Sequence, residues 1–286
     1  MKRHAIIGAA GQLGSDFCRW LGEQAIALPR DRSELSRPDE LRQLLEEVRP
    51  DVVINCAAYN FVDKAESEPE AALAANAWGV RELARICQSL DLTLVHFSSD
   101  YVFGVDGGRR SPWSEADAPV PNSVYSLSKL AGECLVRAEC TRHFVIRTCG
   151  LYGHAGMHSK KGNFVETMLK LAAQGKPLRV VDDQECTPSF TRDVAAGTLR
   201  LLETGRHGLY HLTNSGSCTW HSLARAIFDH AGLQVDLTPI PTSAYPTPAR
   251  RPRYSVLANR ACTELGLDPL RGWKEALADY LDQRPI

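Results

Sequence analysis

The chain has 286 residues, 44% hydrophobic and 23% charged, ordinary values for one large α/β unit or two domains. Its 33 Lys and Arg stand against 34 Asp and Glu, a net charge of −1, which argues against a nucleic-acid binder and a polybasic membrane-surface protein. No apolar run approaches the roughly 18 residues of a spanning helix, and nine scattered cysteines without a C-x-x-C pair suit a reducing, cytoplasmic setting.

The basic start is followed by a short apolar run, Ala5–Ile7, that ends in glycines and reads as a first strand rather than a signal peptide. A helix over about 11–21 and a strand over 25–28 follow. Leu41, Leu44, Leu45 and Val48 share one face of a helix over 38–48, with Pro38 in its first turn. Then come a buried strand over 51–56, a long helical pattern over 68–90, a strand over 92–97, a helix over 125–139 and a strand over 144–146. Strands alternating with helices in this way predict a parallel sheet covered on both faces, a Rossmann-type doubly wound α/β fold. Beyond 150 the pattern loosens. Helices over 163–174 and 191–202 flank a strand over 178–181. A strand over 209–212 and a helix over 220–231 precede a stretch, 239–253, crowded with Pro and Arg.

Gly8, Gly11 and Gly14, with Gln12 and Leu13 between, close the first strand and open the first helix. Glycines there allow a tight turn, close approach of a pyrophosphate and close helix–strand packing, and the helix N-terminus offers free N–H groups to the anion. The spacing is G-x-x-G-x-x-G. An ordinary strand-to-helix turn is the alternative. At the end of the second strand, Asp31 suits ribose hydroxyls and Arg30 or Arg32 suits a 2′-phosphate, so NADH and NADPH stay open. A solvated charged loop is the bland reading. The expected division is a dinucleotide-binding domain over 1–150, with 178–205 returning to it, and a smaller C-terminal substrate-binding α/β part over 151–177 and 206–286.

Tyr125 and Lys129 stand four apart at the start of a helix and share a face. A neighbouring ammonium lowers a phenol's pKa, so Tyr125 can hand a proton to a carbonyl oxygen that is being reduced. Ser98, Ser99 and Asp100 follow the preceding strand, where open α/β sheets bind ligands. The Ser99 hydroxyl suits a substrate carbonyl and Asp100 a sugar hydroxyl; helix capping is the alternative. His154/His158 and His207/His211 lack an acidic neighbour of the H-E-x-x-H kind and are read as structural, so no metal is expected.

The glycine run, the Tyr–Lys pair and the serine one strand earlier resemble the extended short-chain dehydrogenase/reductases. Further segments are similar to the dTDP-4-dehydrorhamnose reductase group within them. These are 55–59, Val62–Pro69, 99–103, 163–169, Asp182–Gln184 and Tyr245–Pro252. The resemblance implies NADPH or NADH as reductant and a dTDP-4-keto-6-deoxysugar as substrate. It implies Ser99, Tyr125 and Lys129 as catalytic residues. It places Arg30, Glu34, Leu35, Cys56, Ala57, Ala58, Tyr59 and Ser98 with the glycine turn at the cofactor. Asp100, Tyr101, Asn163, Arg250 and Arg251 fall at the substrate, the two arginines holding the diphosphate. It leaves a homodimer open. Arg192 stands near where some relatives place a carboxylate for a bridging magnesium, so that site is not carried over.

Three positions depart from the pattern. Ser99 stands where Thr is usual, Glu34 where Asp is common, and Gly150 where a Trp is expected to pack on the sugar. Gly150 keeps another 4-keto sugar in view, including the substrate of dTDP-dihydrostreptose synthesis. A non-catalytic nucleotide-binding regulatory subunit is the alternative from a different class.

Overall fold

The computed structural model describes residues 2–105, 107–158 and 162–284. Six parallel strands form the central sheet. They are β1 (His4–Ile7), β2 (Ala25–Ala27), β3 (Val52–Asn55), β4 (Thr93–Ser99), β5 (His143–Thr148) and a closing strand, Gly208–His211. In space they run β2-β1-β3-β4-β5 and then Gly208–His211. The order reverses between β1 and β3, which opens a crevice at the carboxyl ends of those strands.

Both sheet faces are apolar because successive side chains point to opposite sides. Ala5 and Ile7 of β1, Val53 of β3, Leu94 of β4 and Val145 of β5 join one core cluster with Leu41, Leu45, Leu83 and Cys87. Ile6, Val52, Ile54, Val95, Phe144 and Ile146 join the opposite one. Helix α1 (Gln12–Leu21) contributes Leu13, Phe17 and Leu21 to this second cluster, where the Thr191–Glu203 helix adds Val194, Ala195 and Leu201. Phe17 is fully buried, and truncating such a ring costs about 3–5 kcal/mol.

Local signals set the helix ends. Pro38 opens α2 (Pro38–Val48), Asp39 and Glu40 sit in its first turn, and Arg49 ends it in a left-handed conformation. The long helical stretch is interrupted by a π-helical turn, Ala74–Trp78, between Pro69–Leu73 and Gly79–Ser89.

Two segments depart from the expected division. The strand Leu178–Val181 does not return to the main sheet; it pairs in parallel with Leu237–Ile240. The strand Gly208–His211, expected in the smaller part, closes the main sheet beside β5. Short strands carry little periodicity, so their partners depend on tertiary packing. The smaller part has its own core of Val165, Met168, Leu178, Leu223, Phe228, Leu237, Leu277 and Tyr280. The Trp273–Asp282 helix that supplies the last two was not anticipated.

Candidate functional site

A cleft of 560 Å³ lies at the carboxyl ends of β1, β3, β4 and β5. Gly11, Gln12, Leu13 and Gly14 line one end, and Cys56, Ala57 and Ala58 line the wall after β3. The glycines are there for steric reasons. Gly8 has φ +77, and a Cβ on it would stand 3.0 Å from the backbone of Cys56 and Ala57. A Cβ on Gly14 would stand 2.3 Å from the Gly8 carbonyl oxygen. Gly11 caps α1 without any side-chain bond, leaving N–H groups open to the cleft. This cradle fits a dinucleotide pyrophosphate.

Ser98, Ser99 and Asp100 reach the cleft from the end of β4. Tyr125 and Lys129 reach it from the Val124–Glu139 helix. A capping box starts that helix: Ser123 Oγ accepts from the Ser126 N–H at 3.2 Å, and Ser126 Oγ accepts from the Ser123 N–H at 3.0 Å. It fixes the helix start one residue before Tyr125. The Ser99 hydroxyl stands by the Tyr125 phenol and donates to Asp100 Oδ1 at 3.0 Å. Lys129 Nζ donates to the Phe97 carbonyl at 2.6 Å. Burial pushes the Tyr125 phenol up to about 12, against the neighbouring Ser99 hydroxyl, which lowers it. The expected lowering is not found; desolvation dominates the phenol. Burial also brings Lys129 down to about 8, against the pull of the Glu133 carboxylate. At neutral pH Tyr125 therefore holds a proton and Lys129 a charge.

The remaining site residues divide between the cleft and its supports. Asp100 lines the cleft, but Oδ1 accepts from Ser99, and Oδ2 accepts from Ser255 at 2.6 Å and Cys149 at 3.0 Å. Its carboxylate acts within the protein, and burial pushes its pKa up. Asn163 also lines the cleft with both ends engaged. Its Oδ1 caps the Phe164–Ala172 helix through the Glu166 N–H, and its Nδ2 donates to Gln12 Oε1 at 2.9 Å. Gln12 Oε1 also accepts from the Gly153 N–H, so this pair ties the glycine turn to the smaller part. Tyr101 packs edge-on against Tyr125, ring centroids 5.9 Å apart.

Other expected residues stand away from the cleft lining. Tyr59 donates its hydroxyl to Glu68. Leu35 is buried beneath Gly79. Arg30 lies exposed in the turn after β2, and Glu34 faces Arg37 at 3.9 Å. Arg251 forms a bidentate pair with Asp63 at 2.9 and 2.8 Å, so its guanidinium fork is spent holding the loop to the Val62–Ala65 turn. Arg250 is exposed beside it. His154 stacks on Tyr280, and His211 is buried against Arg147; the His158 side chain lies outside the described residues.

Gly150 faces the cleft with φ +53, a left-handed backbone that disfavours any side chain. Across from it, Phe164 and Trp220 meet at a centroid distance of 4.8 Å and line the same cleft. Trp220 was missed in sequence because a lone Trp opening a helix reads as core. Asn76 was missed as well. The π-helical turn buries it, where it bonds the Tyr59 backbone in both directions and the Ser128 hydroxyl. Its carbonyl would lie 2.2 Å from a Cβ on Gly132, so that glycine lets the two helices meet.

The model of the RmlD substrate binding domain matches residues 2–285. The chain is 38% identical to dTDP-4-dehydrorhamnose reductase of Burkholderia thailandensis, over 95% of both chains. It is 39% identical to a Streptomyces antibioticus protein named probable dTDP-4,6-dihydroxy-2-methyloxan-3-one 4-ketoreductase, over 97% of this chain and 94% of that one. The crystal structure of Bacillus anthracis dTDP-4-dehydrorhamnose reductase in complex with NADP superposes with a TM-score of 0.93, at 33% identity and 99% coverage of both chains. With its Rossmann-type sheet superposing on these relatives and its length matched from residue 2 to 285, the chain belongs to the RmlD substrate binding domain family of extended short-chain dehydrogenase/reductases.

Proposed function

We propose that the protein is an NAD(P)H-dependent reductase that converts the C4 ketone of dTDP-4-dehydro-L-rhamnose to the alcohol of dTDP-L-rhamnose. The observation that carries this reading is the meeting of Ser99, Tyr125 and Lys129 with the glycine cradle in one cleft. The names of the Burkholderia and Bacillus anthracis relatives support the substrate and the cofactor.

The chemistry follows from the residues. The cradle of Gly8, Gly11 and Gly14 and the wall of Cys56–Ala58 would hold the dinucleotide, and a bound reduced nicotinamide supplies hydride to a carbonyl carbon. Tyr125 stays protonated until about pH 12, so it holds the proton that the developing alkoxide needs. Ser99 stands beside that phenol in the cleft, where its hydroxyl would turn from Asp100 to orient the same oxygen. Lys129, charged below about pH 8, adds a positive field as negative charge builds on that oxygen. The Phe164–Trp220 pair offers an apolar wall for sugar or base. The unpaired cysteines support a cytoplasmic setting.

Gly150 favours a second reading within the same class, a neighbouring dTDP-4-keto-6-deoxysugar, and the name of the Streptomyces antibioticus relative supports it. The test is oxidation of NADPH and of NADH with dTDP-4-dehydro-L-rhamnose generated in situ, with the product sugar identified. Formation of dTDP-L-rhamnose is expected. Cofactor binding without turnover would overturn the assignment and point to another 4-keto sugar or to a binding subunit.

A further inference from the structure

Beneath the catalytic trio lies a buried polar network that this mechanism has not used. Glu133 sits on the catalytic helix, one turn beyond Lys129 on the same face. It is 1% exposed. Its carboxylate accepts from Ser98 Oγ at 2.5 Å, from Arg147 Nε at 2.9 and 3.2 Å, and from Arg147 Nη2 at 2.7 Å. Arg147, on β5, is 2% exposed and lies over the Phe103 ring at 5.0 Å. Its Nη1 reaches His211 Nε2 at 3.3 Å. His211 Nδ1 faces the carbonyls of Trp113 and Ala258 at 3.1 and 3.2 Å, so Nδ1 carries the hydrogen and Nε2 accepts from Arg147. Burial and the Arg147 charge bring the His211 pKa down to about 3, so the imidazole is neutral.

Two apolar side chains would fill this space with less desolvation cost, because a buried ion pair rarely repays the loss of its hydration. A charged group retained at the floor of a reaction cleft points to a task there. We propose that Glu133 is a positioning residue for the reduction, its buried carboxylate keeping Lys129 protonated in a site that would otherwise discharge it. The proposal rests on the reductase reading. Lys129 shares its helix with Tyr125 and Glu133 and its cleft with Asp100, Cys149 and Cys56, and His96 of β4 feels its charge, while Arg147 of β5 reaches Glu133. His96 is buried and held neutral, and it sends no countercharge. Asp100 is occupied by Ser99, Ser255 and Cys149. Among these groups Glu133 is the carboxylate whose charge bears on Lys129, and Arg147 pairs with that carboxylate from β5. The Ser98 bond anchors the carboxylate to the end of β4, beside the Phe97 carbonyl that accepts the Lys129 hydrogen bond.

The experiment is the pH profile of kcat/KM for the reduction. The wild-type enzyme is expected to lose activity as pH rises through about 8, where Lys129 discharges. Glu133→Gln should move that alkaline limb down by about one pH unit, the effect of losing one nearby opposite charge. Glu133→Asp keeps the charge and should return the limb toward the wild-type position. A Glu133→Gln/Arg147→Met pair guards against misfolding, since it leaves no unpaired buried charge, and its limb should also lie below the wild-type one. A purely structural role would lower kcat and melting temperature and leave the limb in place. A folded Gln variant with an unmoved limb overturns the proposal, as does an Asp variant shifted as far as Gln. A wild-type enzyme without turnover would instead defeat the reductase reading, before any variant is compared.

Discussion

The two walls of the cleft are built on different principles. The cofactor wall is mostly backbone: a glycine turn, a helix N-terminus and the ends of β1, β3 and β4. The facing wall, where we place the substrate, is mostly side chains from scattered segments, Phe164 at one helix start and Trp220 at another, beside the bare backbone of Gly150. A wall made of backbone tolerates few substitutions and announces itself by its glycines. A wall made of side chains can change its ligand by a single replacement.

That contrast sets the expected mutational effects. The largest falls where the two walls meet. Tyr125→Phe should lower kcat by about 10²–10⁴, the range for loss of a general acid, while cofactor affinity by fluorescence titration stays near wild type. An unchanged kcat would break the comparison at its centre. On the backbone wall, Gly14→Ala drives a methyl against the Gly8 carbonyl oxygen at 2.3 Å. Overpacking of this kind costs ~1–3 kcal/mol, so a lower melting temperature and a cofactor KM raised about tenfold are expected. The substrate KM should move far less.

On the side-chain wall, and in the loop that Arg251 holds outside the cleft lining, the effects should be smaller and confined to the sugar nucleotide. Arg251→Ala releases the Tyr245–Pro252 loop from Asp63. Asp63 is 41% exposed, so solvent screens the pair and a rise of about threefold to tenfold in substrate KM is expected, with cofactor KM unchanged. Trp220→Ala removes one ring of the pair with Phe164. Aromatic contacts are worth ~0.5–1.5 kcal/mol, so substrate KM should rise about two- to tenfold, and Trp220→Phe should recover most of it. If either variant instead weakened cofactor binding, the two walls would not be separate.

The same contrast explains what was legible in the sequence. Short strands apolar on both faces and helices such as α2 carry their pattern and caps locally, so the sheet and its crossover helices read directly. Tyr125 and Lys129 were visible because a four-residue spacing has one meaning on a helix. Ser99 was visible because it ends a strand. Glu133 has the same spacing from Lys129, yet its meaning depends on Arg147 arriving from β5, which no local pattern shows. The fate of Arg251 was hidden in the same way, since its partner Asp63 lies 188 residues earlier. Asp100 and Asn163 have the polarity of sugar ligands, but tertiary contacts with Ser255 and Gln12 claim their atoms first. The strand Leu178–Val181 read correctly as a strand and wrongly in its sheet, because pairing is decided by the Leu237–Ile240 strand far along the chain.

The most direct test of the account is hydride transfer itself. Reduced cofactor carrying deuterium at the transferring position of the nicotinamide should be mixed with dTDP-4-dehydro-L-rhamnose and the enzyme. The account predicts one deuterium at C4 of dTDP-L-rhamnose, and none transferred by Tyr125→Phe on the same timescale. Unlabelled product, or label retained by the cofactor while the ketone persists, would contradict it.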